Sequence, residues 1–244
     1  MRTLFLSIIF IASTSFGATR YYLPISGSAA VTPAFDGYWT NTSSAVSIRM
    51  VAAKSNTALT DQSIIVSHAS QTLYKQYVSD PIGVVNFNST TFKGVIRGSA
   101  NSSLCFSGYA VYLYHAGGTV DSLVTSGDFG NQWPASAATV LSGPTTLNNI
   151  TSANNDRIVC EIGADNQSSA NRTTVERFGD PSATADFAFT GGLTTDLVPW
   201  IEFSATIPAP AIGHTSNFFN LFGWLRWNFG DLMRYHPGFA GRLH

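Results

Sequence analysis

Carboxylates and histidines are the side chains of this sequence that could transfer protons in a reaction. The chain has three Glu, eleven Asp and five His among 244 residues. It contains no G-x-S-x-G, H-E-x-x-H, P-loop or dinucleotide-binding motif to organise them. Glycoside hydrolysis needs only two carboxylates at a suitable separation, so Glu161 and Glu202, both in strand-like segments, form the pair to test.

The alternation of side-chain direction along a strand argues against a catalytic role for this pair. In the run from Arg157 to Ile162, Ile158, Cys160 and Ile162 share one face, and Glu161 lies on the other. We therefore expect Cys160 to point into a core and Glu161 to be a solvated, outward-facing residue. The sequence predicts a protein that is not an enzyme.

The histidines do not indicate a metal site. No two of them have ligand spacing within one element, and we expect ordinary surface or turn residues. They are His68, His115, His214, His236 and His244. No bound metal or cofactor is predicted.

Cys105 and Cys160 are the only cysteines, and both lie in apolar alternating segments. In an exported protein two such residues on neighbouring strands could form a disulfide. Two buried thiols that fill apolar space are the alternative.

Aromatic residues make up 13% of the chain and could bind the apolar faces of sugars. Trp133, between Gln132 and Pro134 in a loop-like stretch, is the best candidate for an exposed, glycan-stacking ring. Core packing is the commoner use of such side chains and is favoured for Trp200. The other aromatic residues considered for a sugar-binding face are Tyr38, Trp39, Tyr112 and Tyr114.

The chain also carries Asn-x-Ser/Thr triplets, which become glycosylation sites if the host modifies them. They begin at Asn41, Asn88, Asn101, Asn149, Asn166 and Asn171.

Short apolar or alternating runs broken by Gly, Pro, Asn, Asp and Ser fill the region from Tyr21 to about Pro208. This pattern is typical of strands joined by turns. About twelve strands without intervening helices predict an all-β fold, an antiparallel two-sheet sandwich with a jelly roll as the favoured arrangement, over residues 18–208. The predicted strands are 21–23, 46–52, 63–66, 73–78, 91–97, 104–114, 122–124, 138–141, 157–162, 173–178, 186–190 and 200–207.

Residues 1–17 have the pattern of a secretory signal peptide: Arg2, an apolar run from Leu4, and small residues at Ser15 and Gly17. Cleavage after Gly17 is favoured, with Ser15 and Ala18 as alternatives. We therefore expect an exported protein that is secreted or attached to an extracellular or virion surface.

Residues 209–215 form a Pro-containing linker candidate, and an aromatic, amphipathic tail follows over 216–244. Ser216 to Tyr235 could form a helix, although Gly223 and Gly230 weaken it, so an extended tail stays open. Its apolar surface needs a cover, which could be its own sandwich, a neighbouring copy of the chain or a membrane interface. Protein contact ranks first and the membrane second, and self-association is the favoured form of that contact. The residues expected to self-associate are Phe218, Leu221, Phe222, Trp224, Leu225, Trp227, Phe229 and Leu232.

Charged residues are only 11% of the chain, and the formal net charge is -1. Thirteen Lys and Arg scattered along the sequence make no basic stripe. Nucleic-acid binding through phosphates is therefore not expected.

Six segments together resemble an uncharacterised group of proteins from bacteriophage and environmental viral sequences. They are Tyr21–Pro24, Pro33–Trp39, Gln76–Pro81, Lys93–Arg97, Asp156–Gly163 and Asp196–Ser204. The resemblance spans residues 21–204 and implies a compact β domain of virion or tail structures, with no active site to carry over. Members of the group lack the signal peptide and the C-terminal forty residues, and these additions suit an extracellular assembly or surface layer.

The sequence thus favours a secreted, non-enzymatic structural subunit that forms a homo-oligomer or polymer through its tail. A carbohydrate-binding or attachment module, with a glycan as partner, is the alternative. A glycoside-cleaving enzyme is the third hypothesis.

Overall fold

The protein is described by a computed structural model over residues 17–43, 47–136, 138–189 and 197–211. Within these ranges the regular elements are β-strands. They are β1 Thr19–Tyr22, β2 Asn41–Thr42, β3 Ser47–Arg49, β4 Thr60–Val66, β5 Ser70–Val78, β6 Thr91–Ala100, β7 Cys105–Tyr114, β8 Val120–Gln132, β9 Ala138–Thr146, β10 Arg157–Asn166, β11 Arg172–Phe178 and β12 Trp200–Phe203.

The eight consecutive strands β4 to β11 form a jelly roll. In one sheet, here called sheet A, they lie in the order β4-β11-β6-β9, and in the other, sheet B, in the order β5-β10-β7-β8. Counted from β4, one sheet holds the first, eighth, third and sixth strands, and the other holds the second, seventh, fourth and fifth. This strand order is that of a jelly roll, which consists of two Greek keys. The predicted all-β sandwich is confirmed.

The remaining strands widen the two sheets. β12 pairs with the first half of β6, next to β11 on the second half, and β1 pairs with β12. β2 and β3 pair with β5 in parallel. The long ladders are antiparallel, as predicted, and sheet B becomes mixed at this edge.

Side chains from both sheets fill the interior. Tyr77, Phe92, Ile162, Phe178 and Phe203 are among its buried members. Burying a side chain of this size contributes about 1.5–3 kcal/mol, so this interior supplies most of the drive for the fold.

Part of the outer face of sheet B is covered by another segment of the chain. The chain between β1 and β3 crosses it, and Ala29 and Val31 pack against Val78, Tyr112 and Val159. Further along, the Trp39 ring lies over Gly108 and Gly163. A Cβ atom at Gly163 would overlap the ring, and one at Gly108 would be in tight contact with it. We call residues 29–41 the covering segment.

Most predicted strands are present, but 186–190 is not one of them. Asp186 forms an isolated parallel bridge with Val198, and residues 187–189 are irregular. The last residue of the predicted strand, 190, lies outside the described residues.

The chain divides into two compact units, Met1–Pro210 and Ala211–His244. The signal peptide is expected over residues 1–17, and all of it except Gly17 lies outside the described residues. So do the residues from 212 onward, including all eight that are predicted to self-associate. In the portion that is described, no helix combines the length and apolar character needed to cross a bilayer.

Candidate functional site

Glu161 and Glu202 do not form a catalytic pair. Glu161 lies on β10 and faces outward from sheet B, whereas Glu202 lies on β12 and faces outward from sheet A. The whole thickness of the sandwich separates them, since stacked sheets are about 10 Å apart before the side chains are counted. They cannot flank one glycosidic bond.

Glu161 is fully buried, so the expectation of a solvated residue was wrong. Its Oε2 accepts hydrogen bonds from Trp39 Nε1 at 2.6 Å and from the Asp36 backbone N at 3.1 Å. Its Oε1 accepts from Gln76 Nε2 and from the Tyr112 hydroxyl, both at 2.9 Å. Alternation placed Glu161 on the correct face, but the covering segment lies over that face.

The four donors link the covering segment to the sheet through one carboxyl group. Burial raises the pKa of Glu161, and the hydrogen bonds from Gln76, Asp36, Tyr112 and Trp39 offset only part of that effect. Because each donor has a partner here, removing the carboxyl would leave buried N–H and O–H groups unsatisfied. The arrangement is suited to fastening the segment rather than to catalysis.

Glu202 belongs to a charged cluster on the outer face of sheet A. Arg20 binds Glu202 Oε2 through Nη2 at 2.7 Å and Asp186 through Nη1 at 3.0 Å, and Lys54 Nζ lies 2.8 Å from Asp186. Lys93 Nζ lies 2.9 Å from Glu202 Oε1. Burial raises the pKa of Glu202, but its hydrogen bonds to Lys93 and Arg20 outweigh this and lower the pKa below its usual value.

Aromatic rings support the same cluster. The Arg20 guanidinium stacks 3.8 Å from the centroid of Trp200, and the Lys93 ammonium lies 5.2 Å from that of Phe189. Trp200 itself is buried, and its Nε1 donates to the Phe187 carbonyl at 2.7 Å. Core packing, favoured for Trp200, is confirmed.

A groove of about 440 Å³ opens beside this cluster. We refer to its charged lining residues, Lys93 and Glu202, as the floor and to its apolar ones, Pro144 and Phe189, as the walls; Thr91 and Ser204 add hydroxyl groups. Concave sites for small ligands occupy about 300–1,000 Å³. The groove combines apolar surface with an adjacent cation and anion.

A third carboxyl group, that of Glu176, lies inside the sandwich. It is fully buried, and its nearest hydrogen-bond donor is Ser107 Oγ, at 3.3 Å from Oε1. Its Oε2 has no hydrogen-bond partner within the described ranges. Burial raises the pKa of Glu176 well above the usual value, and the Ser107 hydrogen bond offsets little of this effect.

His115 connects two acidic side chains at one end of the sandwich. Its Nδ1 lies 2.8 Å from Asp156 and its Nε2 lies 3.0 Å from Asp121. Partial burial lowers the pKa of His115, but the hydrogen bonds to both carboxylates outweigh it and raise the pKa. No group of three or more His, Cys, Asp or Glu in the described ranges could hold a metal ion.

The two cysteines are free and buried, so the disulfide alternative was wrong and the buried-thiol alternative is correct. Both lie on adjacent strands, β7 and β10, and face the interior. However, Cys105 is opposite Asn166, whereas Cys160 is opposite Val111, six residues further along β7. At about 3.3 Å per residue the two sulfurs are roughly 20 Å apart.

Trp133 is 1% exposed, so it cannot be the exposed stacking residue predicted from the sequence. Its ring lies directly on Gly98, where even a methyl group would overlap it. Trp39 and Tyr112 are also buried. Trp39 belongs to the covering segment and bonds to Glu161, and Tyr112 lies on sheet B and donates to the Ala34 carbonyl of that segment.

Five of the six candidate glycosylation sites are exposed: Asn41, Asn88, Asn101, Asn149 and Asn171. Asn166 is fully buried, and its Nδ2 donates to the carbonyls of Val66, Ser67 and Ala170 at 2.9–3.1 Å. A glycan on Asn166 would break this network, so its inclusion among the candidates is corrected.

No protein-family model matches the chain, and no curated protein sequence matches it. Among solved structures it is similar to an alpha-amino acid ester hydrolase, at 8% identity and a TM-score of 0.34, over 78% of this chain and 36% of that one. It is also similar to the infectious bursal disease virus Gx strain structure, at 11% identity and a TM-score of 0.21, over 76% and 49%. A CocE/NonD family hydrolase from Staphylococcus aureus is similar at 8% identity and a TM-score of 0.27, over 80% and 36%.

This chain therefore spans between 36% and 49% of the length of these proteins. At such TM-scores none of the likenesses bears on what the chain does.

Proposed function

We propose that this protein is a non-enzymatic structural subunit of an extracellular or virion-type assembly. In this proposal the jelly roll is the body of the subunit. The C-terminal tail, residues 216–244, joins one copy to the next, and the signal-peptide pattern at residues 1–17 exports the chain.

The proposal rests on one observation: the main carboxylate groups of the sandwich are bonded to other segments of the same chain. Glu161 fastens the covering segment, and Glu202 is held between Arg20 and Lys93. Asp180, also fully buried, accepts hydrogen bonds from the backbone N of Ser55 and Thr57, at 2.9 and 3.2 Å. Groups fixed in this way hold the domain together, which is what a building block requires.

The composition of the tail supports self-association. Seven aromatic residues fall within the eighteen positions from Phe218 to Tyr235. Apolar surface of several hundred Å² is rarely left in water and marks an interface. If the tail of one copy binds a different surface of the next, the contact is heterologous and propagates into a polymer unless its rotation closes a ring.

The experiment compares the mature chain, 18–244, with a truncation that ends at Ala211. This end point retains Pro208, whose carbonyl accepts from Gly83 N at 2.8 Å. Light scattering after size exclusion should give oligomers for the mature chain and a monomer for the truncation, with cooperative urea unfolding of both. A truncation that still polymerises would refute the role of the tail.

Point variants distinguish a specific contact of the tail from non-specific hydrophobic association. Phe222→Asp and Phe229→Asp, in the tail, should abolish assembly, whereas Val120→Asp is a matched control, because Val120 is an exposed apolar residue of the sandwich. Sedimentation with neutral phosphatidylcholine vesicles tests the competing membrane contact. Vesicle binding by a mature chain that stays monomeric would replace self-association with membrane attachment.

A further inference from the structure

The groove on the outer face of sheet A is formed by an irregularity in the ladder between β6 and β9. Phe92 is opposite Thr145 and Gly94 is opposite Ser142, so Lys93 faces the two residues Gly143 and Pro144. This is a β-bulge, a feature that redirects side chains and occurs often beside binding sites. It places Pro144 opposite Lys93, and both residues line the groove.

Gly143 is required for this bulge. Its φ is +78°, a backbone conformation that side chains other than Gly rarely adopt. A Cβ atom there would also overlap the Phe92 carbonyl oxygen. The position of Pro144 at the groove is therefore set by the backbone of this bulge.

The floor of the groove offers a donor and an acceptor side by side. Lys93 Nζ and Glu202 Oε1 are 2.9 Å apart, and Arg20 holds the other carboxylate oxygen from behind. An ammonium group carries three donor hydrogens, and an ionised carboxylate accepts about four hydrogen bonds. The side chains of Lys93 and Glu202 are 31% and 13% exposed, so both remain within reach of a ligand.

The walls add apolar contact and hydroxyl groups. Phe189 is half-buried and packs against Trp200, with ring centroids 6.3 Å apart. Ser204 Oγ accepts from Thr91 N at 2.8 Å, and this leaves its hydroxyl hydrogen for a ligand.

We propose that this groove binds one sugar residue of a neutral glycan. A sugar ring has C–H faces that pack against Phe189 and Pro144 and neighbouring hydroxyl groups that both donate and accept. Such a pair of hydroxyls matches the adjacent Lys93 and Glu202. A ligand of either charge meets one repulsive group in the floor, so a neutral ligand is favoured.

This site differs from the sugar-binding face expected from Trp133, which is buried. It is also independent of assembly through the tail, because every group in it belongs to the sandwich. A subunit with this groove would attach to a glycan through sheet A.

The test uses saturation-transfer NMR on the mature chain with the methyl glycosides of glucose, galactose, mannose and N-acetylglucosamine, followed by a neutral-glycan array. Saturation transfer works with large assemblies, so oligomerisation does not interfere. We expect transfer to at least one glycoside. Phe189→Ala and Lys93→Met should each weaken binding about tenfold or more, which corresponds to about 1.4 kcal/mol.

Phe35→Ala and Lys75→Met are the matched controls, since Phe35 is an exposed ring of the covering segment and Lys75 lies in sheet B. Both should leave binding within about twofold of the parent. Lys93→Met leaves Arg20 paired with Glu202, so this variant serves if Phe189→Ala does not fold. Absence of transfer to all four glycosides and of array binding would overturn the proposal, as would binding that survives both groove variants.

Discussion

Replacing Glu176 with Gln should remove a pH-dependent loss of stability from the interior of the sandwich. Glu176 is fully buried between the sheets, with Ser107 as the donor to one oxygen and no partner for the other within the described ranges. Gln has nearly the same shape and carries no ionisable proton. The substitution therefore isolates the cost of keeping a titratable group in this place.

The sign follows from the raised pKa of Glu176 in the folded state. Above the unfolded pKa of about 4.5, the unfolded chain releases the proton and the folded chain keeps it. Stability is then complete below the unfolded pKa and falls as pH rises toward the folded pKa. One proton bound on folding changes the free energy of unfolding by about 1.4 kcal/mol per pH unit.

Urea unfolding followed by tryptophan fluorescence at pH 5, 6, 7 and 8 measures this effect. The free energy of unfolding of Glu176→Gln minus that of the parent should rise with pH, by up to about 1.4 kcal/mol per unit. The difference between the two proteins cancels the titration of the other groups.

Glu202→Gln is the control of opposite sign. The pKa of Glu202 is lowered, so its contribution is present at neutral pH and is lost as pH falls through the folded pKa. The difference in free energy of unfolding between the parent and Glu202→Gln should therefore stay constant from pH 5 to 8, and it should narrow only when further measurements go below the unfolded pKa of about 4.5. Parallel curves for the parent and Glu176→Gln from pH 5 to 8 would refute the reasoning, because Glu176 would then titrate alike in both states.

Three further predictions concern packing and modification. Gly98→Ala should destabilise the fold by about 1–3 kcal/mol, because the new methyl group overlaps the Trp133 ring, and urea unfolding against the parent measures this. Cys105 and Cys160 should not react with a thiol reagent in the folded protein, and both should react after unfolding without reductant. If neither cysteine reacts in the unfolded protein, the two form a disulfide and the prediction is wrong. In a glycosylating host, peptide mapping should find glycans among the five exposed triplets and none on Asn166, and a modified Asn166 would contradict its buried hydrogen bonds.

Strand positions follow from the sequence where alternation is strong and the strand is long. The ladder from Arg157 to Ile162 was predicted in place, with Cys160 facing inward, because every second side chain faces the same way. The two-residue strand β2 has no such pattern, since its parallel pairing with β5 depends on where the covering segment crosses sheet B.

The burial of Glu176 was missed although a local indication existed. Thr174, Glu176 and Phe178 share one face of β11, and Phe178 is a core residue. The same alternation that placed Cys160 therefore placed Glu176 inside. The tendency of carboxylates to stay in water is weaker evidence than a strand's two-residue period.

The burial of Glu161 has a different cause, which cannot be predicted from the residue pattern of β10. Outward-facing residues of a strand are solvated only if nothing else in the chain lies over them, and here residues 29–41 do. The sequence contains one hint, which is that Trp39 needs a hydrogen-bond acceptor when it is buried. Two carboxylates predicted to be alike thus have separate roles: Glu161 closes sheet B beneath its covering segment, and Glu202 lines an open groove on sheet A. The difference comes from the chain that lies over each position: residues 29–41 cover Glu161, whereas Glu202 keeps 13% of its side chain exposed.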